Sequence, residues 1–342
     1  MTSPDGRYVL VYNGEIYNYD QLRQVLKPHW NFKTESDTEV VLAAYVTWQE
    51  ACLDRLNGMF AFAVWDKKHQ TLFAGRDLLG IKPFFYYCDQ DCLYFASEVS
   101  ALAQVIPQKK LNHEAILEYW ICPPFSGALN TPIQGVNSLP GGHSLTFSTQ
   151  GLNIKQWRDY IIEPHVEQLT TDNQHQLNQL IQQAIESTLI ADVPITAHLS
   201  GGLDSTTVVA HASRQPQGVQ DAYTILYDNQ QDFDYSDCLI VESDDYPYAQ
   251  GAAQELGITL NSVHAPRDQL ATCLKKMAQI NGVIPMWELE STHYFMSQAI
   301  SQRYKVSLVG DVSDETHFGY HFMLDPLATQ SFKALASRFS HT

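Results

Sequence analysis

Residues 200–205, Ser200-Gly201-Gly202-Leu203-Asp204-Ser205, follow the short apolar run PITAHLS and open DSTTVVAHAS, which reads as a helix. Glycines between a strand and a helix let backbone N–H groups close on an anion, and the helix N-terminus favours its negative charge. The segment lacks the Lys-Ser/Thr ending of a Walker loop and carries an acid instead. An acid beside phosphates calls for Mg²⁺ between them, so Asp204 is expected to hold metal and Ser200, Gly201, Gly202 and Ser205 to bind phosphate. The plainer alternative is a glycine-rich turn with a capping Asp or Ser. Asn13-Gly14, taken alone after YVLVY, marks a hairpin turn. His317 and His321 stand four apart, but no third ligand with zinc-like spacing accompanies them, and surface histidines are expected.

The elements around these residues fall into two patterns. From Tyr8 to Ser97, YVLVY, FAFAVWD, TLFAG, FFYY and CLYFAS are aromatic or β-branched runs separated by turn signals, which predicts mostly antiparallel strands. Helices are expected over Tyr19–Leu26 and Ser36–Trp48, the second capped by Ser36 and Asp37. LPGGHSLTF followed by LNIKQW reads as a closing hairpin, and a domain boundary is expected near residue 160. Beyond it an amphipathic helix is expected to start near Thr171 or Asp172, after which strands and helices alternate to KVSLVG, the pattern of a parallel sheet covered on both faces. The stretch from Asp228 to Asp245 holds seven acids and reads as a solvated loop.

Composition narrows the function. The 342 residues suggest two domains and are 44% hydrophobic, enough for a core in each. The formal charge of −17 repels phosphate backbones and anionic membranes, so neither nucleic acid nor a membrane is an expected partner. No apolar run reaches a membrane span, MTSPDGRY shows no basic region followed by an apolar stretch, so no signal peptide is expected, and the six cysteines are too few for a disulfide framework. Reduced thiols and a cytoplasmic location are expected.

SGGLDS resembles the pyrophosphate loop of the ATP pyrophosphatase enzymes. Gly310-Asp311-Val312-Ser313-Asp314-Glu315, about 110 residues later and also after a strand, resembles the GEGSDE segment of asparagine synthetases. In the first half YNGEIYNYDQLR, SDTEVVLAAY, LNGMFAFAVWD, GRDLLGIKPFFYY and LYFASEVSAL resemble the glutaminase domain of class II glutamine amidotransferases, in the order found in glutamine-hydrolysing asparagine synthetases. The resemblance covers most of residues 1 to 322. It implies an α+β, amidotransferase-like β-sandwich domain over 1–160, then an α/β parallel-sheet ATP pyrophosphatase domain over 171–342. It further implies ATP and Mg²⁺ as cofactors, with Asp204 and Asp314 on the metal. Leu199, Ile225, Val309 and Gly310 would line the nucleotide pocket beside the loop, and Asp311 would stand near the acyl-adenylate. Asn13 and Gly14 would form an oxyanion hole, and Glu15 and Asp37 would hold the α-amino group of glutamine. Arg76, Asp77 and Gly80 are expected to be structural.

Three departures qualify the resemblance. Asp311 replaces the usual Glu, Val312 a Gly, and Thr316-His317 two apolar residues. The family's cysteine nucleophile is missing ahead of Asn13, so the chain is expected to be truncated there and its glutaminase half inactive. Only Lys333 and Arg338 follow Asp314 as cations, so truncation is expected at that end also. The leading expectation is an ATP-dependent amide-forming ligase acting on aspartate or another carboxylate, through an acyl-adenylate, with glutamine or ammonia as nitrogen source. A β-lactam synthetase-like ligase and a non-catalytic fragment are the alternatives.

Overall fold

The computed structural model describes residues 1–89, 92–121, 131–159, 170–216, 218–228, 244–285, 289–317 and 319. Two compact units emerge, Met1–Gln168 with Thr272–Glu290, and Leu169–Ala271 with Ser291–Thr342. His321, Lys333, Arg338 and most of the acidic stretch lie outside the described residues.

In the first unit β1 (Tyr8–Ile16), β2 (Gly58–Asp66), β3 (Thr71–Arg76), β7 (His143–Ser148) and β8 (Gly151–Gln156) form one antiparallel sheet in the order β1-β2-β3-β7-β8. A second sheet runs β5 (Leu93–Ala96), β4 (Phe85–Cys88), β6 (Val136–Ser138). The alternation of FAFAVWD explains the layering. Phe60, Phe62 and Val64 point to one face and pack with Val40, Val41 and Ala44 of α2 (Asp37–Trp48) and Leu22 and Leu26 of α1 (Tyr19–Leu26). Ala61 and Ala63 point to the other, where their small side chains admit Phe84, just ahead of β4, and Tyr86 of β4 in the second sheet. Both faces of β2 are thus buried, and each buried Phe contributes about 1.5–3 kcal/mol.

Arg76, Asp77 and Gly80 form a clasp that matches their structural expectation. Asp77 is buried, and its carboxylate accepts the N–H groups of Phe60, Ile81 and Lys82 at 3.1, 2.9 and 3.0 Å. Arg76 donates to the carbonyls of Lys82, Gly80 and Leu139. Two helices that the sequence reading passed over, α3 (Val99–Leu102) and α4 (His113–Ile121), also belong here. Val283 packs on the cluster of Val99, Leu102, Ile106 and Val136, and the bare Gly282 abuts the backbone of Ser100. The segment Thr272–Glu290, from the second half of the sequence, therefore groups with the first unit.

The second unit is the α/β part. Its four strands, β9 (Ile195–His198), β10 (Asp221–Tyr227), β11 (Thr259–Ala265) and β12 (Val306–Leu308), are parallel in the order β11-β10-β9-β12. Ile195, Ala197 and Leu199 face α5 (Thr171–Ser187), α6 (Leu203–Ser213) and α7 (Tyr246–Leu256), packing with Ile185, Val209, Ala212, Ala249 and Ala253. On the opposite face Tyr223 packs with Met296 and Ile300 of α9 (Leu289–Ile300). The helix α10 (Ser313–His317) also belongs here, whereas α8 (Leu270–Asn281) falls almost wholly in the segment that groups with the first unit. Among the described residues no helix is long and apolar enough to cross a membrane.

Candidate functional site

The strand order creates a crevice. The chain leaves β9 toward β10 on one side and returns later as β12 on the other, so the strand order reverses at β9 and the loops after β9 and β12 lie side by side at the carboxyl edge of the sheet, where open α/β sheets bind ligands. Residues 200–205 are the first loop and 310–315 the second. Gly201 has φ +90, and a Cβ there would overlap the first turn of α7 at Tyr248 and Ala249, so two separate constraints demand glycine. The Ser205 hydroxyl accepts from Ser200 N at 3.2 Å and lies 2.9 Å from Ser200 Oγ, which ties the loop to the first turn of α6. The first backbone bond of α6 runs from Thr206 N to Gly202 O at 3.1 Å, leaving the N–H groups of Leu203, Asp204 and Ser205 without intrahelical acceptors. That is the donor array an anion needs.

The second loop meets the first at backbone level. A Cβ on Gly310 would lie 2.7 Å from Ser205 N and 3.0 Å from Asp204 C. Asp204 and Asp314 are neighbours across this junction: burial first, and then the Asp314 charge, raise the Asp204 carboxyl above its ordinary value, with His317 opposing and Glu315 adding to the rise. Two crowded carboxylates beside free N–H donors suit a hard divalent cation that takes its other oxygens from phosphate and water. Among the described residues no cluster of three or more His, Cys, Asp or Glu forms a closed metal site.

The crevice has two chemically different sides. Gly310, Asp204 and Ser205 lie on the α6 side. His198 is in register with Tyr223, which places it on the α9 side, and Val309 continues β12 beyond the Leu308–Ala197 pair onto that same side. Leu199, expected to line the nucleotide, is 1% exposed in the α6-side core, so only its main chain is left to face a ligand. Ile225 packs on the α9-side cluster, and Val309 is 42% exposed. Asp311 is exposed and bears electrostatically on His198, as does His293 of α9. Sequence reasoning missed both histidines, because a histidine inside a strand or mid-helix carries no spacing signal.

The first unit assembles the residues expected for glutamine. Asn13-Gly14 is no hairpin turn but the interior of β1, opposite Ala61 and Phe60. Leu10 N bonds Met1 O at 2.8 Å and Ile16 N bonds the Asp37 carboxylate at 3.1 Å, so even-numbered residues of β1 aim their N–H groups away from β2, and Gly14 by alternation does the same. A Cβ on Gly14 would meet Phe60 Cα at 2.7 Å, which fixes glycine there. Asn13 Nδ2 reaches Ser97 Oγ at 3.4 Å, and Glu15 is exposed. Asp37 Oδ2 accepts both the Ile16 N–H and the Tyr12 hydroxyl, the latter at 2.6 Å, and Oδ1 accepts the Ser36 and Thr38 hydroxyls at 3.5 Å, so this acid braces the strand end. Of the described cysteines, Cys52 and Cys273 are buried, and burial pushes the Cys52 thiol up to about 12.

Comparison with known proteins agrees with both halves. Residues 1–158 match the glutamine amidotransferase domain family and residues 176–341 the asparagine synthase family. The chain is 33% identical over 319 residues to glutamine-hydrolyzing asparagine synthetase 3 of Bacillus subtilis, covering 92% of this chain and 52% of that protein. It is 28% identical over 342 residues to synthetase 1 of the same organism, covering 97% and 51%, and 29% identical over 321 residues to asparagine synthetase B of Escherichia coli, covering 92% and 52%. The chain spans about half the length of these curated relatives.

Proposed function

The chain belongs to the glutamine-hydrolysing asparagine synthetase family, and we propose from that premise that it is an ATP-dependent, amide-forming ligase. A substrate carboxylate, aspartate by default, attacks the α-phosphorus of ATP and releases pyrophosphate, and ammonia then displaces AMP from the acyl-adenylate. The observation that carries this reading is the meeting of Gly310 with Ser205, which puts the acids Asp204 and Asp314 beside free N–H groups of α6. Ser200, Gly201, Gly202 and Ser205 hold phosphate oxygens through main-chain and hydroxyl donors. Asp204 and Asp314 would hold Mg²⁺, which neutralises phosphate charge during the transfer. Ile225, Val309 and the main chain of Leu199 and Gly310 face the nucleotide, and Asp311 faces the acyl group.

Asn13 Nδ2 and Gly14 N–H supply the donors of an oxyanion hole, and Glu15 and Asp37 the anions for an ammonium group. These donors stabilise an intermediate but do not form it. The buried Cys52 thiol, pushed up to about 12, is no nucleophile at neutral pH. Pyrophosphate release with ATP, Mg²⁺ and candidate carboxylates tests the ligase reading. Release independent of any carboxylate, or unchanged in Asp204→Ala and Asp314→Ala, contradicts it.

A further inference from the structure

The α9 side of the crevice holds a histidine whose setting the phosphate chemistry leaves unexplained. His198 ends β9 one residue before Leu199, on the face opposite the α6 core. Its neighbours on that face are Tyr223 in β10 and, beyond the last register pair, Val309 after β12. Tyr227, further along the same face of β10, lies with its hydroxyl 2.5 Å from Thr292 Oγ1, which sets the first turns of α9, and with them His293, at the carboxyl edge of the sheet. Asp311 faces the group from the loop after β12. The His198 ring makes no hydrogen bond to a described residue, although it is half-buried at the ligand edge. A half-buried imidazole without a fixed partner retains both a lone pair and a donor for a ligand.

We propose that His198 is the base that accepts the proton released when ammonia attacks the acyl-adenylate, with Asp311 and His293 setting its polarity. The inference rests on the adenylation reading above. The step balances as follows: the ammonia lone pair forms the C–N bond, the acyl C–O bond to phosphate breaks, AMP leaves with that electron pair, and one N–H proton passes to a His198 ring nitrogen and on to water. Two charged groups bear on the ring: His293 from α9 disfavours its protonation and Asp311 favours it. Burial is the largest influence and holds the His198 pKa below its ordinary value, so the imidazole is neutral, and competent as a base, at neutral pH. The division of the crevice gives the reason for the placement. Asp204, Ser205 and Gly310, the groups proposed to hold metal and phosphate, lie on the α6 side, and His198 stands apart from them on the α9 side, beside the nucleotide-facing Val309.

The two half-reactions separate this role from a structural one. In the full chain, ATP–pyrophosphate exchange reports adenylation, and amide formation at a fixed concentration of unprotonated ammonia reports the second step. His198→Ala and His198→Asn are each expected to keep exchange within about twofold while amide formation falls about 100-fold, the size of a lost general base. Added imidazole should restore part of the loss in His198→Ala, and the low-pH limb of the wild-type amidation profile should disappear in both variants. Amide formation within about threefold of wild type, or exchange and amidation falling in parallel, overturns the role for His198 while leaving adenylation intact. Failure of the wild-type chain to exchange pyrophosphate with every carboxylate tried removes the adenylation reading and this inference with it.

Discussion

Gly310 and Ser205 meet so closely that a single methyl group on the glycine would lie 2.7 Å from the serine backbone nitrogen. The contact joins the end of β12 to the first turn of α6, two segments about 110 residues apart in sequence, and it sets the two acidic loops in one crevice. Gly310→Ala must push these loops apart. Overpacking of this kind costs about 1–3 kcal/mol. The expected outcome is a modest fall in Tm with pyrophosphate exchange reduced at least about tenfold, measured on the same preparation. Normal exchange in the alanine variant would show that the contact does not position the site.

Val312 has φ +71 and is 52% exposed, a left-handed backbone that a β-branched residue adopts only under strain. It occupies the position where the resemblance places glycine. Val312→Gly is expected to stabilise the chain by about 1 kcal/mol, the usual cost of a left-handed non-glycine residue less the greater entropy of glycine when unfolded. Chemical denaturation with an unchanged m-value checks it, and a lower midpoint contradicts it.

Asp204 carries a raised pKa, first through burial and then through the Asp314 charge, so its charged form is disfavoured in the fold. The folded chain then binds its proton more tightly than the unfolded chain, and stability falls as pH rises from the unfolded value through the folded one. Asp204→Asn removes this repulsion. At neutral pH without divalent ions it should raise Tm slightly, by less than about 4 °C, while abolishing exchange. Mg²⁺ should raise the Tm of wild type and leave the variant unmoved.

Asp66 behaves in the opposite sense. Arg7, which donates at 3.0 and 2.7 Å, holds its carboxyl far below the ordinary range despite burial. This stabilisation is complete above the unfolded carboxyl pKa and is lost as pH falls through the folded one. Asp66→Asn is expected to cost about 1.5–3 kcal/mol at pH 7, the range for a charge-assisted hydrogen bond, and to flatten the acid limb of the stability profile. An unchanged acid midpoint would rule the pair out.

Much of this architecture was legible in the sequence, for stated reasons. The Ser36 cap and the apolar face beyond it give α2, FAFAVWD gives a strand buried on both sides, and alternating elements after Thr171 give the parallel sheet. SGGLDS announces an anion loop because its glycines and acid act through local backbone geometry. Strand order is a tertiary fact, however. Nothing local to KVSLVG tells that it lies beside β9, so the contact of Gly310 with Ser205 and the division of the crevice between α6 and α9 emerge only from the fold. Asn13-Gly14 misleads for the same reason, since its turn propensity is overridden by nine paired positions with β2. His198, two residues before the SGGLDS motif, carries no local signal because its environment comes from β10, α9 and the loop after β12.

We propose that the loops after β9 and β12 form one adenylating site through Asp204 and Asp314. Carboxylate-dependent exchange of labelled pyrophosphate into ATP, with Mg²⁺ and the full chain, tests it most directly. The expected result is exchange in wild type that vanishes in both Asp204→Ala and Asp314→Ala, each variant keeping the wild-type circular-dichroism spectrum. Exchange that survives both substitutions would contradict the account.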